Sequence, residues 1–390
     1  MRRLDVDERR ARLGMRHLLA APGGGPVEAA RAVVALHASD PATVHLSAAA
    51  RSREPDVAAV ERALYEDRAL IRMLGMRRTM FVVPDDLAPA IQASCTDAIA
   101  ARERTRLVTR LRDAGIAEDA GAWLAEVEEA TLAALRERGE AAAAQLSEDV
   151  PRLRTSVLMA AGKPYAAHQN VSTWVLGQLS MDGRVVRGRP RGSWISSQYR
   201  WSPVERWLPD GMPAWDREEA GAELVRRYLA AFGPARLADV RWWTGWTAGQ
   251  ARAALARLEA EDVDLGDGEA GLVLAGDGEP AGDPGPWVAL LPGLDPTPMG
   301  WQQRDWFLGP HGPALFDRSG NIGPTVWLDG RIVGGWAQRR DGAVAVRLLE
   351  RLPRARRAAI DDVAARLREW LGDVRVMPRF RTPLERDLSA

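Results

Sequence analysis

Val171-Ser172-Thr173-Trp174-Val175-Leu176-Gly177-Gln178-Leu179-Ser180-Met181-Asp182-Gly183-Arg184-Val185-Val186-Arg187-Gly188-Arg189-Pro190-Arg191-Gly192 carries the fold in miniature. Apolar residues recur at helical spacing from Val171 to Met181, Asn170 or Ser172 stands where a cap belongs, and Asp182-Gly183 ends the helix. Val185 to Gly192 and Ser193 to Trp201 then read as two strands joined by a basic turn. Upstream, helical periodicity runs from Gly121 to Arg138, and a shorter helix lies near Ala141 to Asp149. Helices closed by a basic hairpin are the pattern of a winged helix-turn-helix.

The pattern recurs on both sides. Downstream, Ala222 to Phe232, Leu237 to Trp243 and Thr247 to Ala260 read as helices, Thr247 as a cap, and Val263 to Ala275 as a Gly-rich wing. Upstream, Glu8 to Leu19, Pro26 to Leu36, a segment after Pro41 and Val57 to Arg68 read as helices, before strands in Ile71 to Arg77 and Thr79 to Val83. A period near a hundred residues means tandem domains, not a solenoid. From Trp287 the character changes: Asp329-Gly330 and Asp341-Gly342 punctuate β-rich runs, a long amphipathic helix spans Arg354 to Leu371, and Val374 to Val376 adds a short strand. The expected fold is therefore α+β, mainly α. It comprises three tandem winged helix-turn-helix domains (1–90, 91–210 with connecting helices, 211–280) and a C-terminal β-rich region, a small barrel or sheet with one helix (287–390).

Composition narrows the class. The chain of 390 residues is 46% hydrophobic and 27% charged. No apolar run approaches a membrane span, and no secretory signal is visible at Met1 to Glu8. The single cysteine, Cys95, excludes an internal disulfide framework and a Cys-rich zinc site, so a reducing cytoplasm is expected. Basic and acidic residues balance at 53 each, unlike a strongly basic DNA-binding domain, so charge must be judged locally. Lys163 is the only lysine, which leaves one side-chain candidate for Schiff-base chemistry.

Val33-Val34-Ala35-Leu36-His37-Ala38-Ser39-Asp40-Pro41 ends an apolar run on two polar side chains. Asp-Pro disfavours helix at Asp40 and suits the first turn of the next helix, so His37 and Ser39 should lie between helices. A non-helical turn there can aim both side chains into one pocket, whereas a helix terminus with a local hydrogen bond needs no function.

Several segments in this order resemble the family of winged-helix DNA-binding proteins to which the AlkZ-type bacterial DNA glycosylases belong. They are Ala35 to Pro41, Met76-Arg77-Arg78-Thr79-Met80-Phe81-Val82-Val83-Pro84, Arg227 to Pro234 with Trp242-Trp243, and Leu291-Pro292-Gly293-Leu294-Asp295-Pro296. The resemblance implies a chain curved around duplex DNA and hydrolysis of the N-glycosidic bond of N7-alkylated purines, bulky antibiotic adducts and interstrand crosslinks included, in DNA repair or genotoxin self-resistance. It implies no metal or organic cofactor. The family's proposed catalytic pair is Gln-x-Gln or Gln-x-Asp; here those positions hold His37 and Ser39. His37 is expected to position the water and, when neutral, to act as general base, with Ser39 orienting the water or the ring. For Asp40 an N-cap role competes with a charge aimed at the sugar.

The same resemblance makes the other polar clusters DNA-binding candidates. These are Arg77 and Arg78 at the first wing, Gln169, Asn170, Ser172 and Thr173 at a recognition helix, Arg187, Arg189 and Arg191 through the second wing, and Arg304 with Asn321 before the C-terminal hairpin. Caps, solvated turns, or a pairing of Arg77 or Arg78 with Glu61 to Asp67 are the structural alternatives. Most tryptophans, by spacing and neighbours, belong to the core, and His45 and His168 lack a metal-ligand partner. The expected partner is double-stranded DNA bound by a monomer. The competing function is a non-catalytic winged-helix DNA-binding protein, either a transcriptional regulator or an adduct-sequestering resistance factor.

Overall fold

A computed structural model describes residues 2–159, 162–164, 166–266 and 268–390. One succession of elements occurs three times: a helix, a short extended segment, two more helices and a two-stranded hairpin. In the first unit the helices are Pro26–Ala32, Pro41–Ala49 and Val57–Tyr65, and the strands are Leu36–His37, Leu70–Leu74 and Met80–Pro84. Met80–Pro84 lies centrally in that sheet, with Leu36 opposite Val82 and His37 opposite Phe81. Asp40 and Asp56 start two of these helices by accepting backbone N–H bonds from Ala42 and from Ala58 and Ala59.

The second unit has helices Ala120–Arg138, Ala143–Asp149 and Val171–Met181 and strands Val185–Pro190 and Tyr199–Pro203, with Ala141 bridging to Trp201 as the short extended segment. An extra hairpin, Ser156–Met159 with Ala167–Asn170, interrupts it before the last helix; the sequence reading had no strand there. The third unit has helices Arg217–Phe232, Leu237–Thr244 and Ala248–Leu255, the Ala235 bridge to Leu272, and strands Ala260–Asp264 and Ala270–Leu274. Thr247 caps its last helix as expected, accepting from the Gln250 N–H. The wing expected over Val263 to Ala275 includes Asp267, which lies outside the described residues. Arg2–Arg3 adds a parallel strand beside Ala260–Asp264, and Leu4 fills the apolar cluster of Val263, Leu265 and Val273.

The C-terminal region is an antiparallel sheet in sequence order, Val288–Leu291, Thr325–Leu328, Arg331–Gln338 and Val344–Leu348. Asp329 and Gly330 both take positive φ (48° and 85°), the conformation a tight hairpin needs. Helix Arg354–Leu371 covers the sheet through Ile360, Ala364 and Leu371. Of the barrel or sheet expected, the region has an open sheet. Two expectations are corrected here: besides Arg354–Leu371 the region holds helices Asp305–Leu308, Gly312–Leu315 and Pro383–Ser389, and Val374 to Val376 is not a strand, although the Val376 N–H does bond Gln338 Oε1.

The units are tied together by buried contacts. Arg51 and Asp295, both fully buried, form a bidentate pair at 2.8 and 2.7 Å, and Asp295 also accepts from the Ser47 hydroxyl and the Thr297 N–H. That pair docks the Leu291 to Pro296 segment on the first unit. Trp194, expected within a strand, instead sits in the C-terminal core, its ring 4.8 Å from His45 and 5.8 Å from Trp370. The second strand of the hairpin in the second unit begins only at Tyr199, because the apolar Trp194 gains more by leaving the hairpin for that core. Among the described residues no helix is long and apolar enough to cross a membrane.

Candidate functional site

The helix after Pro26 stops at Ala32, and Val34 takes a left-handed φ of 67°, a strained conformation for a β-branched residue. This turn throws Leu36–His37 into the sheet; the expected helix through Leu36 is therefore wrong, and His37 lies on a strand instead of at a helix terminus. Its ring meets Phe81 edge-on at 5.5 Å and is only 6% exposed. The Ser39 N–H donates to His37 Nδ1 at 3.4 Å, which assigns the ring proton to Nε2. Burial, and then the charge of Arg77, push the imidazole down to about 3. His37 is thus a neutral ring with a free donor edge, and burial disfavours the proton uptake that the expected general-base role needs.

Ser39, half-buried, lines a cleft of about 500 Å³ together with Arg187, Arg191, Tyr199, Trp201 and Arg379. His37 is not among the lining residues, so the two side chains serve opposite sides of one segment. Asp40 is committed to structure: one carboxylate oxygen caps the next helix and the other accepts the Arg379 N–H at 2.9 Å.

On the His37 side, Arg77 and Arg304 come together from distant sequence. Their guanidinium carbons lie 4.1 and 4.5 Å from the centroid of the Trp242 ring. Burial lowers both to about 10, and Arg77 lowers Arg304 further. Neither forms an ion pair with a carboxylate among the described residues. Arg78 is exposed but bound to Glu103 at 2.8 Å, not to the Glu61 to Asp67 helix. Glu61 and Glu66 take Arg189 instead, at 2.8 and 3.0 Å. Alternation along the second unit's hairpin fails to keep its three arginines equivalent because the ladder is irregular between Arg187 and Pro190, which re-aims the side chains. Arg187 lies over Tyr199 and Trp201, Arg189 is held by its two glutamates, and Arg191 is exposed at the cleft.

The remaining candidates lie elsewhere. Asn170 and Thr173 are exposed at the start of helix Val171–Met181, and Gln169 is half-buried on the inserted hairpin. Ser172 is buried and offers no contact, because the first helical turn rotates it into the core. Asn170 occupies the cap position without a side-chain cap bond. Asn321 donates to Asp317 at 2.8 Å and is spent inside its own loop. Sequence reasoning missed Arg72, Tyr199 and Arg379. The one signal for Arg72 was a charge in an otherwise apolar strand, Leu70-Ile71-Arg72-Met73-Leu74.

A family model described as DNA glycosylase AlkZ-like matches residues 30–370. The fold is similar to that of the Streptomyces sahachiroi DNA glycosylase AlkZ, with a TM-score of 0.73 and 22% identity over 96% of this chain and 99% of that one. No curated protein matches the sequence significantly. With the family model spanning most of the chain, the protein belongs to the AlkZ-like DNA glycosylase family.

Proposed function

We propose that the protein is a monofunctional, monomeric glycosylase that hydrolyses the bond between deoxyribose and an N7-alkylated purine in double-stranded DNA. In this reading the three repeated units are winged helices (1–90, 91–210 and 211–280) which, with the region 287–390, curve around the duplex. Arg77, Arg304, Arg187, Arg191, Asn170 and Thr173 face the DNA. Bulky adducts and crosslinks suit an open cleft that does not require a flipped base to enter a deep pocket.

The single observation that carries the proposal is the state of His37 and Ser39: a neutral imidazole and a hydroxyl, on one strand-to-helix segment, flanked on both sides by arginines without carboxylate partners. N7 alkylation already makes the purine a cation. The C1′–N9 electron pair leaves with the base, which departs neutral without a general acid, and an oxocarbenium-like sugar remains. Water then adds at C1′ and releases its proton to solvent. Such a reaction asks for a positioned water and not for a strong base. The Ser39 hydroxyl, which lines the cleft, supplies hydrogen bonds to that water, and His37, on the other side of the segment, accepts the Ser39 N–H and holds the turn that presents it. Lys163 is exposed between the strands of the inserted hairpin and is not among the residues lining the cleft, which supports hydrolysis without a Schiff base.

The test is release of 7-methylguanine from a duplex, leaving an abasic site and an unbroken strand. A His37→Ala, Ser39→Ala double variant is expected to lose about a hundredfold in rate, the lower range for groups that handle the proton or the water. Undiminished release by that variant sinks the residue assignment. Duplex binding without any release by the wild type favours the binding-only function instead.

A further inference from the structure

The cleft beside Ser39 has one chemical oddity, an accumulation of unpaired positive charge. Arg187, Arg191 and Arg379 line it. Behind its aromatic wall lies Arg72, 2% exposed, with its guanidinium carbon 4.7 Å from the Tyr199 ring, the same ring that Arg187 covers at 5.7 Å. None of the four guanidinium groups forms an ion pair among the described residues. Arg72 reaches only the Ala38 carbonyl, at 3.4 Å, and the Tyr65 hydroxyl, and its Nε is buried without a partner. The Nε of Arg187 is likewise buried and unpartnered. Arg379 donates to the Ser39 carbonyl at 3.3 Å, and its backbone N–H holds Asp40. Burial, and then the neighbouring charges of Arg72 and Arg379, lower Arg187.

Arg191 and Arg379 are exposed at the mouth of the cleft, but Arg72, buried, and Arg187, partly buried, lie beside one another without counter-charge, which costs stability that a bound anion would offset. Four acids of the neighbouring elements are spent: Glu61 and Glu66 hold Arg189, Glu140 holds Arg200, and Asp40 is bonded by two backbone N–H groups. We infer that the cleft formed by Arg187, Arg191 and Arg379, backed by Arg72 through Tyr199, is a phosphodiester-binding site of the DNA strand being processed. This rests on the glycosylase reading for its choice of strand, since Ser39 lines the same cleft, but its existence as a phosphate site does not. The planar forks of Arg187 and Arg379 suit the paired oxygens of a phosphodiester. Arg379 couples the site to the chemistry, because the residue that grips the backbone also holds Ser39 and Asp40 in place.

The experiment is a salt titration of affinity for an unmodified short duplex, read by fluorescence anisotropy. Each phosphate contact contributes about 0.9 to the slope of log K against log salt, a factor of about three to four in affinity between about 50 and 200 mM. Arg187→Gln combined with Arg379→Gln is expected to lower the slope by about 0.9 to 1.8, while Arg112→Gln, on an exposed face of the helix Asp97–Asp113, leaves it unchanged. A folded double variant with the wild-type slope overturns the site. So does a wild type stabilised against heat by inorganic phosphate while the duplex slope is insensitive to the two substitutions, since the anion would then be free phosphate. Labelling of the wild type by phenylglyoxal, located by mass spectrometry, requires no variant to fold. Duplex is expected to protect Arg187, Arg191 and Arg379 and not Arg112, and equal labelling with and without duplex overturns the proposal. The two readings separate cleanly. Loss of slope without base release by the wild type leaves the phosphate site standing and removes the enzyme, whereas base release with an unchanged slope does the reverse.

Discussion

Acidification from about pH 6.5 to about pH 5 is expected to remove about 5 kcal/mol of folding stability through three buried imidazoles. His17, His37 and His45 are almost fully buried, and burial lowers each to about 3. A positive neighbour reinforces the effect: Arg51 for His17, Arg77 for His37 and Arg72 for His45. The native state therefore prefers the neutral ring, while the unfolded chain protonates at about 6.5. Below that value the unfolded chain binds more protons than the native one, so stability is full above it and falls as pH is lowered toward the folded value. Because pH 5 lies well above a folded value of about 3, the native rings take up almost no proton, and the loss is set by the unfolded chain. It amounts to about 5 kcal/mol for the three rings together, a large part of the roughly 5–15 kcal/mol that holds an ordinary domain folded. Urea denaturation at a series of pH values measures it, and proton NMR of the ring resonances in the folded protein supplies the microscopic check. A denaturation midpoint flat across this range, or rings of His17, His37 and His45 titrating near 6.5 in the folded protein, would refute the reasoning.

Two further outcomes follow from the same contacts. The single-turnover rate of base release is expected to show no ionisation near 6.5 between about pH 6 and 8, because His37 stays neutral; an inflection there assigns it the general-base role instead. Trp194→Ala, which empties a site between His45 and Trp370, is expected to cost about 3–5 kcal/mol in chemical denaturation and to expose the 191–198 segment to protease, and a loss below about 1 kcal/mol would show that the indole contributes little there.

Regular elements were legible where a single period and a clear stop coincide. Val171–Met181 and Arg354–Leu371 occur as read, and Asp329-Gly330 makes the hairpin its dipeptide announces. Leu36–His37 was not legible. It is two residues long, and its partners Phe81 and Val82 lie far along the chain, so helical continuation from Pro26 looked as good locally. The hairpin of the second unit misled for a different reason, since period-2 alternation holds only while the ladder is regular and the irregularity after Arg187 ends it. In the candidate site, His37, Ser39 and Arg77 were visible as motif residues. That Arg304 shares Trp242 with Arg77, and that Arg379 reaches Ser39, depend on chain returns across hundreds of residues that no local pattern records.

The Arg51–Asp295 pair has a consequence for biosynthesis. The partners are 244 residues apart, so at roughly 5–20 residues per second Arg51 leaves the ribosome on the order of ten to fifty seconds before its carboxylate exists. During that interval the first unit would have to bury a guanidinium with only neutral acceptors, such as the Ser47 carbonyl, or leave the site open. The nascent chain thus reaches its finished first unit only when the Leu291 to Pro296 segment arrives. Asp40 likewise waits for the Arg379 N–H that its second carboxylate oxygen accepts, so the His37 to Asp40 segment gains its last backbone partner only after residue 379 has been made.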